Sequence, residues 1–535
     1  MAPFLAETVV HIPSKDILSW YFDHPRFDQN RQIYVDAADT NKFWTAEQCR
    51  NAIRQFAAGF QHVGLQAQET VCIHAFNSIN YPVLVNGIVA AGGVFTGSNP
   101  AYTLHELIHH LRTSKTKFAV VEPELLPTFL EAAKHASIDR NRIFAFSETS
   151  YNDVRSWTEL RRHGERDWPR IDDQKTASAT LAALLFSSGT TGLPKAAMLS
   201  HYNFVAQYTV LGDMKGVGWQ KRRLIALPMF HASTVPSVHF NPLYTGDTMY
   251  IARRFELESF MRDTERYGIT DISLVPPIIN RILSSPIRHK YSLKGIRNAQ
   301  SGAAPLDSAT QARFKELLPE STPLTQVWGM TETVATCCMT PYTDGHETTG
   351  SVGKMAPNID IKLCDNDGND ITADNVRGEI CIRGPVVIAG YFHNGEANKR
   401  DWDSDGFFHT GDIAYRDEKT KLWYIVDRKK ELIKVRGFQV APSEIEGVLV
   451  SHPDISDAGV IGVLHNGEEQ PRAYVVSSTK DKSGIESYLA EKLAKYKQCT
   501  GGIIFVDEIP KTASGKILRR TLREWASKKE PGSRL

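Results

Sequence analysis

The densest chemical signal in this 535-residue chain is the nonapeptide Ser187-Ser188-Gly189-Thr190-Thr191-Gly192-Leu193-Pro194-Lys195. Glycines and small hydroxyl residues let a loop wrap its backbone N–H groups around phosphate oxygens, and the hydroxyls and the Lys195 cation add donors and charge. The segment follows the apolar run 181–186, as a loop leaving a sheet strand does. It is not a Walker A loop, which needs G-x-x-x-x-G-K-[ST]; here Lys195 stands three residues after Gly192, behind a proline. The chemistry expected is therefore the holding of a phosphate chain by a loop of another kind.

The elements that would position such a loop are legible as alternating periodicities. Cys49, Ile53, Phe56 and Phe60 fall at three- and four-residue spacing and predict an amphipathic helix over 44–63. Apolar runs at 70–76 and 118–121 read as strands, with helical patterns at 104–111 and 125–136. Strands alternating with helices imply βαβ units around a mainly parallel sheet covered on both faces. Further apolar runs at 181–186, 224–227 and 272–275 end in Gly, Pro or polar clusters. After about residue 350 the texture changes to short, turn-punctuated strands at 359–364, 378–383 and 422–426, as in antiparallel structure. The charged run Asp427-Arg428-Lys429-Lys430-Glu431 reads as a break, which divides the chain into a large unit, 1–428, and a small one, 429–535. No internal repeat is visible.

Composition narrows the function classes. With 41% hydrophobic and 23% charged residues the chain is an ordinary soluble globular protein, neither disordered nor fibrous. Lys plus Arg (62) nearly balances Asp plus Glu (61), so no overall field recruits nucleic acid or an anionic membrane. Seven cysteines without a C-x-x-C pair argue for a reducing compartment and against structural zinc, and the vicinal pair Cys337-Cys338 reads as apolar packing. Met1-Ala2-Pro3-Phe4 lacks the start of a signal peptide, and the apolar stretch 82–95 is too short and too Gly-interrupted to span a bilayer. Ser533-Arg534-Leu535 differs from the S-K-L peroxisomal address by one cation-for-cation exchange.

The loop 187–195 resembles the signature loop of the adenylate-forming superfamily, which includes acyl- and aryl-CoA synthetases, adenylation domains of peptide synthetases and beetle luciferases. Further blocks follow in that family's order: Pro228-Met229-Phe230-His231, Ser301-Gly302-Ala303-Ala304-Pro305, Trp328-Gly329-Met330-Thr331-Glu332, Gly378-Glu379-Ile380, Thr410-Gly411-Asp412, Asp427-Arg428 to Glu444, and Pro510-Lys511-Thr512-Ala513-Ser514-Gly515-Lys516. The resemblance covers nearly the whole chain. Thr-Gly-Leu-Pro-Lys195, Pro-Met-Phe-His231 and Gly437-Phe438-Gln439-Val440-Ala441-Pro442 are most similar to the 4-coumarate-CoA-ligase-like branch. The stretch from 274 to 305, joined to the terminal tripeptide, resembles fungal peroxisomal acyl- or aryl-CoA ligases.

The resemblance implies an α/β fold: a large N-terminal adenylate-forming domain of two βαβ sheets plus a β-barrel-like subdomain, and a small mobile C-terminal α+β domain. It implies ATP-dependent ligation of a carboxylic acid to coenzyme A through an acyl-adenylate, with an aryl, phenylpropanoid or medium-chain fatty acid as substrate, in a setting such as secondary metabolism. By the same resemblance Ser187, Ser188, Gly189, Thr190, Thr191, Gly192 and Lys195 hold the β- and γ-phosphates, Gly302 and Ala303 form the adenine turn, and Trp328, Gly329 and Thr331 contact adenine and the α-phosphate. Trp328 stands where the family has Tyr, so the ring stacks but the hydroxyl is lost. Glu332 is implied as the Mg2+ ligand, a hard oxygen donor for a hard ion, and Asp412 with Arg428 as the ribose anchor. Lys516 is the implied catalytic cation on a loop that closes over the site, Lys434 and Gln439 are further contacts from the small domain, and Lys430 is its hinge. Arg436 and Gly437 face the CoA tunnel. His231 is implied as a gate between acyl pocket and tunnel, although a lone His among apolar neighbours is more often a packed and hydrogen-bonded one. Ala196 follows the lysine where relatives carry Gly, which narrows the backbone freedom there. Small residues, Ala232, Ser233, Thr234, Ser301, Gly302, Val327 and Val334, are candidates for the acid pocket. Ser533-Arg534-Leu535 implies a peroxisomal import receptor as partner and the peroxisome as location, with the cytoplasm otherwise. Two other readings share the ATP chemistry: a stand-alone adenylation enzyme that loads a carrier protein, against which the chain ends soon after Lys516 without a carrier domain, and a luciferase-like oxygenase.

Overall fold

The computed structural model describes residues 2–187, 194–435, 438–465, 468–512 and 515–527. Its largest sheet has seven strands in the spatial order Arg155–Ser156, Ile143–Ala145, Thr116–Val121, Thr70–His74, Val94–Gly97, Leu181–Ser187, Lys195–Ser200. All neighbours are parallel except the last pair, a hairpin in which Ser187 lies opposite Lys195. The central strands are buried along their whole length, which is why they read as continuous apolar runs. The helix Ala46–His62 begins on a Thr45–Gln48 capping box and buries Cys49, Ile53, Phe56 and Phe60, the residues whose spacing predicts it. Leu104–Thr113 starts the same way on Thr103 and Glu106. The apolar stretch 82–95 becomes an interior helix, Asn80–Ala90, and the strand Val94–Gly97. Among the described residues no helix is long and apolar enough to cross a membrane.

A second sheet runs Asp271–Leu274, Asn298–Ser301, Leu324–Met330, Ala335–Met339, Lys354–Met355, parallel over its first three strands and antiparallel beyond. Beside it lies a four-stranded sheet of Arg222–Ile225, Thr248–Ile251, Gln32–Asp36 and Phe43–Thr45. The third part of the large unit is an antiparallel sheet, Asp360–Cys364, Gly378–Arg383, Phe408–Arg416 and Trp423–Arg428. It begins where the sequence changes texture. The charged run at 427–431 is only partly a break: Asp427 and Arg428 finish a strand, and buried Asp427 accepts hydrogen bonds from the Ser443 backbone N–H and hydroxyl at 3.1 and 2.9 Å.

From Ile433 onward the chain builds a separate apolar cluster that includes Ile433, Val440, Ile445, Leu449, Val460, Val475 and Ile485. Its strands Ile455–His465 and Glu468–Ser477 pair antiparallel, and Ile503–Phe505 joins parallel. The helices Pro442–Val450 and Arg519–Ser527 pack on this sheet.

Four buried histidines, His74, His110, His201 and His239, stand in the large unit. His239 donates Nε2–H to the Met229 carbonyl at 2.7 Å. Burial lowers all four below the ordinary 6.5, to about 4 for His74, His201 and His239 and about 3 for His110. Between pH 6.5 and 4 the unfolded chain therefore binds protons that the folded chain refuses, so stability falls as pH falls, by up to about 1.4 kcal/mol per pH unit for each histidine. Urea midpoints should drop steadily across this window, and His239→Gln should flatten the drop; a midpoint constant from pH 6.5 to 4 would contradict it.

Candidate active site

A cavity of about 1890 Å3 lies between the large unit and the small one. Ser187, His231, Gly302, Ala303, Trp328, Gly329, Thr331, Glu332, Asp412, Arg428 and Lys516 all line it. The structure thus brings to one cavity residues that the sequence spreads over more than three hundred positions. Residues 188–193, 436 and 437, the Gln439 side chain and the tripeptide 533–535 lie outside the described residues, so Ser188, Gly189, Thr190, Thr191, Gly192, Arg436 and Gly437 carry no geometry here.

Asp412 and Arg428 face one another on paired strands. The Asp412 carboxylate is 6% exposed; Oδ2 accepts the Trp328 indole N–H at 2.8 Å and Oδ1 lies 3.3 Å from Arg428 Nε. Trp328 thus supplies a donor that holds Asp412, an interaction that side-chain size alone does not suggest. The Asp412 carboxylate is also the largest influence raising the Arg428 pKa further above its ordinary value. The strand is fixed from below: Thr410 donates to the Ile380 carbonyl at 2.7 Å, and the Gly411 N–H reaches Glu379 Oε1 at 3.1 Å.

Glu332, 3% exposed, follows the strand Leu324–Met330, and its Oε1 accepts the Tyr391 hydroxyl at 2.8 Å. The Lys195 ammonium sits 3.8 Å over the Tyr391 ring and 2.8 Å from Asp401 Oδ2. Lys195 opens a strand rather than ending a loop, and its cation is held between an aromatic face and a carboxylate. Tyr391 and Asp401 are functional candidates that no motif points to. Tyr391 links the phosphate-loop lysine to Glu332 through one side chain, and only the fold shows it.

Backbone strain gathers at the same place. Ala303, Val334 and Ala335 have φ of 70°, 54° and 78°, a left-handed region costly for a β-branched residue such as Val334. A Cβ on Gly329 would lie 1.7 Å from the Ala335 carbonyl oxygen, so glycine is required where these strands cross. Val334 does not line the cavity: it is fully buried, and the acid-pocket reading is corrected for it, whereas Ala232, Ser233, Thr234, Ser301, Gly302 and Val327 do line the cavity.

Lys516 enters from the small unit on a turn closed on itself. Thr512 N–H reaches the Lys516 carbonyl at 2.8 Å, and the Thr512 hydroxyl accepts the Lys516 N–H at 3.1 Å. Burial, and then the Arg428 cation, lower the Lys516 ammonium from 10.5 to about 8, against the pull of Asp412 and Glu332. His231 is lowered to about 4 by burial and by Lys516. Its Nδ1 accepts the Ser233 backbone N–H at 3.2 Å, so the neutral ring carries its proton on Nε2. Lys434 is elsewhere: its side chain is exposed on the hairpin opposite Gln439, its N–H bonds Glu469 Oε2 at 2.6 Å, and it is not part of the cavity wall. In this arrangement of the two units Lys434 thus stands apart from the cavity that holds Lys516.

Removing the indole donor leaves a buried carboxylate short of one charge-assisted bond, worth about 1.5–3 kcal/mol. Trp328→Phe should lower the chemical-denaturation stability by that amount, and an unchanged midpoint would show that the Trp328–Asp412 bond carries nothing.

The sequence pattern of the family described as AMP-binding enzyme matches residues 23–392, and that described as AMP-binding enzyme C-terminal domain matches residues 444–516. The chain is 46% identical over 531 residues to the acyl-CoA ligase azaF of Aspergillus niger, covering 97% of this chain and 100% of that protein. It is 46% identical over 533 residues to the phenylacetyl-CoA ligase epaB of Aspergillus niger, covering 97% and 98%. Among solved structures, ATP-bound MatB from Rhodopseudomonas palustris aligns with a TM-score of 0.84 at 28% identity, covering 96% of this chain and 99% of that one.

Proposed function

This chain belongs to the AMP-binding enzyme family and is an ATP-dependent acid–CoA ligase, and we propose that the cavity residues divide its two half-reactions as follows. The single observation that carries the assignment is the convergence of Glu332, Asp412, Arg428 and Lys516 on one cavity, with Lys195 held one side chain away through Tyr391.

In the first half-reaction a carboxylate oxygen of the acid attacks the α-phosphorus of ATP, and the bond to pyrophosphate breaks. No protein nucleophile is needed; the work is orienting two anions and neutralising the charge that grows as they meet. Lys195 and the loop 187–193 hold the outer phosphates. Asp412, fixed by Trp328, accepts the ribose hydroxyls, and Arg428 reinforces the sugar. Lys516 lies beside the α-phosphate and the acid's carboxylate. Glu332 suits the Mg2+ that accompanies ATP: it is a buried carboxylate with one oxygen taken by Tyr391 and the other left as an acceptor, and bound Mg2+ would offset phosphate charge.

In the second half-reaction the CoA sulfur attacks the acyl carbon, AMP leaves, and the thiol proton passes to solvent. Neutral His231 borders the acyl side, where small Ala232, Ser233, Gly302 and Val327 suit an aryl or medium-length acyl group. The phenylacetyl-CoA ligase relative favours an aryl acid. Exposed Lys434, with Gln439, Arg436 and Gly437, serves this step after the unit from residue 429 onward turns about Lys430. Residues 533–535 address the protein to the peroxisome, and a tagged protein whose distribution survives their deletion would refute that. An acyl-CoA so delivered suits secondary metabolism.

Pyrophosphate release and thioester formation are measured with ATP, Mg2+, CoA and a panel of arylacetic, benzoic, cinnamic and medium-chain acids. Thioester with one group of acids is expected; pyrophosphate without thioester would move the acceptor to a carrier protein. Lys516→Ala should slow adenylation by about 10²–10³-fold while sparing thioester formation from supplied acyl-adenylate, and equal loss of both would remove the assignment. Because the ammonium is the active form, kcat/KM for adenylation should fall as pH rises through about 8. Lys516→Arg should carry that limb upward; a limb unmoved by this change belongs to another group.

A further inference from the structure

The antiparallel sheet holds a cluster that the ligase reaction does not use. Cys364 ends the strand Asp360–Cys364, Cys381 lies in Gly378–Arg383, and His409 lies in Phe408–Arg416, directly opposite Cys381. Cys364 and Cys381 are 1% and 0% exposed, and Phe407 packs with both. The two sulfurs are 3.6 Å apart, Cys381 Sγ is 3.3 Å from His409 Nδ1, and all three ligand atoms lie within 4.8 Å of one another. Among the described residues this is the one such group of three.

We propose that Cys364, Cys381 and His409 bind a zinc ion. Bonds of about 2.3 Å to sulfur and about 2.0 Å to nitrogen at tetrahedral angles put two thiolates roughly 3.8 Å apart and sulfur and nitrogen roughly 3.6 Å apart. The observed 3.6 and 3.3 Å need shifts of only a few tenths of an ångström. Two thiolates and an imidazole are the donors zinc prefers over harder cations, and two thiolate charges cancel the dication, so the complex can stay buried. The imidazole turns its Nδ1 toward the sulfur, and its Nε2 lies 3.7 Å from Asp403 Oδ2, which also pairs with Lys362; a shift of under an ångström would let that carboxylate hold a metal-bound imidazole from outside. Glu379 Oε2 lies 3.6 Å from Nδ1 but bonds Lys429 Nζ at 2.9 Å and stands outside the three-ligand group, so the fourth position falls to an exogenous ligand such as water. Cys364 and Cys381 are 17 residues apart, with His409 28 further on. No local spacing therefore signals the site, and the absence of a C-x-x-C pair does not exclude it. His409 lies in the strand Phe408–Arg416 that also carries Asp412, so the metal would brace that strand.

The test uses the full chain purified without chelators. About one zinc per chain by elemental analysis is expected, and an X-ray absorption spectrum of the unaltered protein should show two sulfur neighbours. Cobalt substitution should give thiolate-to-metal charge-transfer and tetrahedral ligand-field bands. Cys364→Ala and Cys381→Ala should each abolish those bands, while Cys49→Ala, which alters a remote buried thiol, keeps them. Asp403→Asn should weaken zinc by about 10–100-fold. A zinc-free protein with no cobalt charge transfer, a coordination shell without sulfur, bands that survive both cysteine changes, or a Cys364–Cys381 disulfide in the purified protein would each overturn the proposal.

Discussion

Two carboxylates, Asp412 and Glu332, are buried where the large unit meets the small one, and the architecture around them follows from the need to neutralise them. An ionised carboxylate taken from water without partners costs several kcal/mol. Here the compensation comes from four directions: the Trp328 indole, the Tyr391 hydroxyl, the Arg428 guanidinium on the neighbouring strand, and the Lys516 ammonium from the small unit. Three of these belong to the large unit and the fourth to the small one, so the charge balance of the site and the placement of that unit are one problem.

The small unit is organised to present its lysine rigidly. Thr512 closes the turn around Lys516, and three residues on, Arg519 bonds Glu446 at 2.7 Å and Glu431 at 2.6 Å. Glu431 stands beside the last strand of the large unit, and Glu446 lies on the first helix of the small one. One guanidinium thus ties the lysine turn to the segment that joins the units, so that Lys516 moves with the body of its unit and not as a free side chain.

Much of this is legible in the sequence, for physical reasons. The helix Ala46–His62 and the strands flanking it announce themselves because burial on one face, or on both, imposes a period. The glycine-rich segment 187–195 stands out in the sequence as a run of residues without bulk, while its residues 188–193 lie outside the described ones. What stays hidden depends on contacts between distant positions. The strand Lys195–Ser200 has only the four-residue apolar run Ala196-Ala197-Met198-Leu199 between Lys and Ser, and it follows directly on a loop motif that claims its first residue, yet it forms the hairpin edge of the main sheet. Tyr391 and Asp401 sit about two hundred residues beyond Lys195 and carry no motif. Trp328 is readable as a ring, but its bond to Asp412 exists only once two sheets meet. Val334 looks like pocket lining and is core, because the backbone turns left-handed there and carries the side chain inward.

The wall of the cavity is assembled from several elements, and the second sheet serves two of its sides. Ala232, Ser233, Gly302 and Val327 come from loops and strands of the second sheet and its neighbour, Asp412 and Arg428 come from the antiparallel sheet, and Trp328, next to Val327 in the strand Leu324–Met330, bonds Asp412 across the two. A substitution at Val327 therefore bears on the strand that holds the Asp412 donor, whereas Ala232 and Ser233 lie on a loop that carries none of the side chains paired with the buried carboxylates. That loop is the part of the wall free to change shape while the two buried charges keep their partners.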